Sequence, residues 1–125
     1  MIINEDKLIG CDQRVIDLSK YLDSELSISP LTNLIASSGK RSKAHNEKIG
    51  GSPRSYHLLG TAIDFHFENV NVFKVVTELY YLVQRQEGVF KGVTEFEVCR
   101  AKNGMQHFHI AFGERAPRYF TGTYK

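Results

Sequence analysis

The sequence predicts an α+β fold, a small antiparallel sheet flanked by helices. Three observations carry the prediction. Two stretches repeat apolar residues at helical spacing, around Val15-Leu18-Leu22-Leu26 and Val72-Val76-Leu79-Val83. Thr61 to Phe67 alternates in the two-residue period of a strand. Near the end, two strand-like runs are separated by Ala101-Lys102-Asn103-Gly104, whose Asn-Gly pair supplies the positive backbone angles of a tight turn. Helices interspersed with short strands and one hairpin are the pattern of an α+β layer packing.

The elements follow in order. Asp12 caps a helix whose Val15, Leu18, Leu22 and Leu26 face a core while Arg14, Asp17, Lys20 and Asp23 face outward. Ser27 to Thr32, with Pro30, ends it, and Asn33 to Ser38 reads as a short strand stopping at Gly39. Lys40 to Lys48 is polar and fits a short helix closed by Gly50-Gly51 and Pro53. In the strand Thr61 to Phe67, Ile63, Phe65 and Phe67 share one face, and Ala62, Asp64 and His66 the other. Val70 to Arg85 is the most apolar helix, and its Phe73 stripe and Tyr80-Tyr81 pair are expected in the core. The hairpin strands are Val93 to Arg100 and Met105 to Phe112. Gly113 to Lys125 is a tail that Pro117, Tyr119, Phe120 and Tyr124 equip to dock on the body or near a cleft.

Composition describes one ordinary globular domain, 1–125: 125 residues, 42% hydrophobic and 24% charged. A net charge of +2 is too small to argue for nucleic acid. Cys11 and Cys99 imply no disulfide framework, exclude a four-cysteine zinc site, and are expected as small buried apolar residues. The start, Met1-Ile2-Ile3-Asn4-Glu5-Asp6, lacks a basic region followed by an apolar core, and no stretch reaches transmembrane length. The expectation is a product made in the cytoplasm without a signal peptide, so that a target outside the cell is reached by another route.

Histidine placement carries the chemistry. His57 and Asp64 are seven apart, so they share a site only if the chain bends between them, and Gly60 is placed for that bend. His107 and His109 are two apart on a strand and project to one side, so one can bind a metal while the other reaches its water or the substrate. Together these residues look like a three-ligand zinc site with one open position; that arrangement belongs to catalytic zinc, whereas structural zinc is closed by four ligands. His45 sits in a polar turn and His66 continues the Asp64 face, so both are expected behind the ligands or toward solvent. Ser37, Ser38 and Ser55 lack the glycine-flanked elbow of a serine nucleophile.

Ser38-Gly39-Lys40-Arg41-Ser42-Lys43-Ala44-His45-Asn46, then Gly50-Gly51-Ser52-Pro53-Arg54-Ser55-Tyr56-His57-Leu58-Leu59-Gly60-Thr61-Ala62-Ile63-Asp64, and finally His107-Phe108-His109 resemble the zinc D-Ala-D-Ala carboxypeptidases. That family includes phage cell-wall endolysins and shares its zinc fold with the hedgehog signalling domain. The resemblance runs from about Cys11 to Phe112. It implies one zinc per chain, held by His57, Asp64 and His109, with His107 as the active-site histidine that is not a ligand and Arg41 as the arginine that holds the substrate.

The sequence departs from the family pattern at Gln106, where several relatives carry a carboxylate as general base, and at Lys40, often aromatic in relatives. His107 then serves as base, or Glu95 or Glu97 enters from the neighbouring strand. Register decides between the glutamate arrangements: an even-length turn sets Phe96 and Val98 beside the histidines, an odd-length turn Glu97 and Cys99. The preferred arrangement has His107 as base with Glu97 as a partner behind the ligands.

The resemblance implies a zinc metallopeptidase acting on the peptide stem of bacterial peptidoglycan. Carboxypeptidase action on D-Ala-D-Ala comes first and an endopeptidase of the L-Ala-D-Glu type next. A zinc-binding recognition module without catalysis is the third reading. A phage lysin that reaches the cell wall through a damaged membrane is the implied setting.

Overall fold

The computed structural model describes residues 1–68, 72–100, 106–114 and 117–123. Helix α1 spans Gln13–Ser24, and the Asp12 side chain accepts a hydrogen bond from Arg14 N at 2.9 Å, satisfying one of the amides that a helix start leaves orphaned. Val15, Leu18 and Leu22 form its buried face, and Leu26 is buried just beyond its end. Strand β1 is Leu34–Ser38, helix α2 Lys43–Lys48, strand β2 Ala62–Phe67 and helix α3 Val72–Arg85. Strands β3, Val93–Arg100, and β4, Gln106–Phe112, form the expected pair. The Ala101 to Gly104 turn and Met105 lie outside the described residues, as does position 70 at the expected start of α3.

Two expectations are corrected. Tyr80 and Tyr81 are 49% and 57% exposed and do not belong to the core. Val75, Leu79 and Val83 take the core-facing stripe at spacings of four. At 100° per residue, the two positions after Leu79 rotate away from it. Tyr81 instead accepts a hydrogen bond from Arg85 Nη1 at 2.6 Å, with the guanidinium over its ring. Phe73's side chain lies outside the described residues. The tail, expected to dock on the body or near a cleft, docks on the body as strand β5, Arg118–Thr123, which pairs parallel to β3 with Glu97 opposite Phe120. Tyr124 lies outside the described residues. Of the two cysteines, Cys99 is buried as expected and Cys11 only partly so.

The sheet order is β1-β2-β4-β3-β5, antiparallel except for the β3–β5 pair. One face is apolar. Ile63 and Phe65 of β2 lie opposite Ile110 and Phe108 of β4, which lie opposite Phe96 and Val98 of β3. These side chains join Val15, Leu18 and Leu22 of α1 and Val75, Leu79 and Val83 of α3 in one core. Full burial of each such side chain contributes roughly 1.5–3 kcal/mol. Two-residue alternation turns the intervening positions, Asp64, His107, His109, Glu95, Glu97 and Cys99, to the opposite face.

A β-bulge refines that division. Glu95 pairs with Ala111 but Val93 pairs with Phe112, so Thr94 is an extra residue in β3. Without it, Val93 and Glu95 would share a face. With it, Val93 enters the core at 1% exposure and Glu95 stays on the polar face. Among the described residues no helix is long and apolar enough to cross a membrane.

Candidate metal centre

The polar face is covered by the chain between β1 and β2, which delivers His57. Tyr56–Leu59 forms a 3-10 turn capped by Ser55 Oγ, which accepts from His57 N at 3.2 Å. Gly60 ends it with φ +73, the left-handed conformation in which glycine escapes the Cβ penalty; a Cβ there would also come within 2.8 Å of Gly10 O. This is the bend needed between His57 and Asp64. Arg41 N donates to His57 O at 2.9 Å and ties the turn to the segment after β1.

Asp64 pairs directly with His109 across β2 and β4. His57 Nε2 lies 3.1 Å and His109 Nδ1 2.8 Å from the same oxygen, Asp64 Oδ1. The three residues are 2%, 5% and 7% exposed, and their ligand atoms lie within 4.8 Å of one another. Tetrahedral zinc at ordinary bond lengths separates its ligand atoms by roughly 3.3 Å, so the two pairs that share Asp64 Oδ1 need only a few tenths of an ångström of outward movement. Two imidazoles and one carboxylate are also a donor set that zinc accepts. The residues fit a divalent metal.

Each ligand has its own partner on the side away from that centre. His57 Nδ1 lies 2.7 Å from Gly39 O, which accepts a hydrogen bond from Nδ1–H, fixes the proton there and leaves Nε2 free for a metal. Arg41 Nη2 donates to Asp64 Oδ2 at 3.4 Å. His109 Nε2 lies 2.9 Å from Glu95 Oε1. Burial opposes ionisation of Asp64, but hydrogen bonds from His109 and His57 outweigh it and hold the carboxyl far below the usual range. Burial likewise depresses His109, yet hydrogen bonds to Asp64 and Glu95 push it up to about 10 in the metal-free protein. An imidazolium between two carboxylates is the proton's version of a metal site.

Of the other expected residues, His107 lies on the same face, half-buried and paired in register with Cys99. Burial lowers its pKa; Asp64 opposes this and the charges on His66 and His109 reinforce it, so the ring is neutral at neutral pH. His66 sits beside the centre with Nδ1 3.1 Å from Ser37 Oγ, and His45 is exposed. The register is the odd-turn one, Glu97 opposite His109. Glu97 lies within the cluster, and His109 donates from Nε2 to Glu95. Gln106 alternates with Phe108 and Ile110 and belongs to the core-face set, so a carboxylate at that position on this strand would not face the centre.

Arg41 is only 11% exposed and is held by three acceptors: Ser38 Oγ and Asn46 Oδ1, both at 3.2 Å, and Asp64 Oδ2. The guanidinium has five N–H groups, so these bonds leave two for a ligand. It lines a cavity of about 720 Å³ with Lys40, Lys43, Asn46, Pro53 and Leu58. Asn46 is a residue that sequence reasoning missed. It is 2% exposed, donates through Nδ2 to Ser52 O at 2.8 Å, and needs a glycine at 51, where a Cβ would fall 2.1 Å from Asn46 Oδ1. One asparagine in a polar segment carries no signal of this role.

The sequence profile described as Peptidase M15 matches residues 7–109, a span that takes in Arg41, His57, Asp64, Glu95, His107 and His109. No curated protein matches the chain at a significant level. With a complete His57, Asp64 and His109 triad inside the matched region, the chain belongs to the peptidase M15 family and is a zinc-dependent peptidase.

Proposed function

We propose that the protein hydrolyses an amide bond in the peptide stem of bacterial peptidoglycan, most directly the bond before a terminal D-Ala, with one zinc per chain. The observation that carries this reading is the adjacency of the triad to a buried arginine with free donors: Arg41 touches Asp64 and faces the cavity lined by Lys40 and Lys43. A planar guanidinium pairs well with a terminal carboxylate.

Zinc, when bound, polarises a carbonyl and lowers the pKa of a water to about 7. His57, Asp64 and His109 hold it, and the fixed proton on His57 Nδ1 keeps that ligand in the right tautomer. Arg41 draws the substrate carboxylate toward the cavity and sets the scissile carbonyl near the centre. His107, neutral because it is half-buried, accepts a proton from the attacking water and returns it to the leaving amine.

Endopeptidase action, such as cleavage between L-Ala and D-Glu, is the second reading. A further cavity of about 590 Å³ shares Pro53 and Leu58 with the first and continues to Arg14, Arg54 and Tyr56. Neither of these two cavities is lined by His57, Asp64, His107 or His109, so the endopeptidase reading is supported by the sequence resemblance. A phage lysin acting on the wall after membrane damage remains the setting we propose, on the sequence resemblance alone; export of the native protein from uninfected cells by its own N-terminus would overturn it.

The test is digestion of purified peptidoglycan by the zinc-loaded protein, with products identified by mass spectrometry beside chelator-treated and His107→Ala samples. Release of D-Ala supports the carboxypeptidase and cleavage within the stem the endopeptidase. A zinc-loaded protein without product on any stem peptide would leave a recognition module.

A further inference from the structure

We infer that Glu95 is a positioning residue for the metal centre: its carboxylate accepts a hydrogen bond from the Nε2–H of His109, holds the proton on that nitrogen and thereby commits Nδ1 to the metal. The inference rests on the metal-centre reading and on no choice of substrate. Its basis is geometric. His109 presents Nδ1 to Asp64 at 2.8 Å and Nε2 to Glu95 at 2.9 Å, so the ring is held between two carboxylates that approach different nitrogens. A histidine ligand offers a metal one lone pair only when its other nitrogen carries the proton, and a carboxylate there fixes both tautomer and ring orientation.

Burial strengthens the case. Glu95 is 5% exposed, and a buried carboxylate is costly unless it is hydrogen-bonded or paired. The backbone is built to bring it there. Thr94 is the extra residue of the β3 bulge; it lets Val93 join the core while Glu95, two positions on, reaches the metal face. Glu97 belongs to the same acidic group, but its Oε2 lies 3.6 Å from Cys99 Sγ, and the bond to His109 is made by Glu95. Glu97, expected behind the ligands, stands opposite His109 in the same group, and Glu95 joins it there.

The experiment is zinc affinity by competition with a chromophoric chelator for wild type, Glu95→Gln, Glu95→Ala and Glu97→Gln, with His57→Ala as the ligand-loss control. Long-range nitrogen–proton NMR on the zinc-loaded proteins reports the His109 tautomer. Glu95→Ala should weaken zinc binding about 10–100-fold and blur the single tautomer. Glu95→Gln keeps an acceptor for Nε2–H without the charge, so it should fold, retain the tautomer and lose less affinity. Glu97→Gln should stay within about threefold of wild type, on the same scale. Unchanged affinity and tautomer in both Glu95 variants, with zinc lost in His57→Ala, would overturn the role of Glu95 and leave the peptidase reading intact. Failure of the wild type to bind zinc would overturn both.

Discussion

Arg41 Nη2 donates to Asp64 Oδ2, the oxygen opposite the one that faces His57 and His109. The arginine that the resemblance assigns to substrate is thus also attached to a metal ligand. It occupies Oδ2, leaves Oδ1 to the metal, and balances the charge of a buried carboxylate.

Replacement of Arg41 should therefore affect two measurements. Arg41→Ala is expected to raise KM and to weaken zinc binding, because a charge-assisted hydrogen bond contributes about 1.5–3 kcal/mol. Arg41→Lys should recover part of the zinc affinity and less of KM, since an ammonium lacks the planar fork. Chelator competition and steady-state kinetics on a stem peptide separate the two. Zinc affinity equal to wild type in Arg41→Ala would restrict the arginine to substrate.

His107 stands beside the ligands without joining them. His107→Ala should keep one zinc per chain and the wild-type fold while kcat falls about 10²–10⁴-fold, the usual range for a lost proton-transfer group. Metal analysis and turnover on the same preparation check this. Full activity would assign the proton to another group.

Asn46 and Gly51 form a packed pair under Arg41. Asn46→Ala leaves Ser52 O and an Arg41 N–H without their partner, a loss of about 1–3 kcal/mol in stability. Both Asn46→Ala, by removing a support of Arg41, and Gly51→Ala, whose Cβ displaces the Asn46 amide without removing any hydrogen-bonding atom, should raise KM. Urea unfolding and KM for the two variants test whether the arginine depends on this support.

The metal-free protein should lose stability as pH rises. His109 is raised from the ordinary 6.5 to about 10, with Asp64 and Glu95 offsetting burial, so the folded state binds the proton more tightly than the unfolded chain. That contribution is complete below about 6.5 and declines as pH passes toward about 10. The thermal midpoint of chelator-treated protein is expected to drop across this window. Zinc-loaded protein, whose His109 has exchanged its proton for the metal, should lack the same decline. Parallel melting curves of the two forms measure the difference.

The sequence by itself determined the residues of the metal centre and much of the frame that holds them. Strand alternation set His107 and His109 on one face and Gly60 marked the turn between His57 and Asp64, while the choice of His109 as the ligand came from the family resemblance. The core stripes of α1 and α3 were legible because helical period is a local property, although it did not settle the outward turn of Tyr80 and Tyr81. Tertiary structure alone decided what crosses between elements. The pairing of β3 with β4 set Glu95 against His109 while the bulge at Thr94 let Val93 enter the core, the fold around Gly51 brought Asn46 under Arg41, and β5 took the edge of β3. Register, close approach and edge pairing depend on contacts between segments far apart in the chain. Periodicity within any one segment does not contain them.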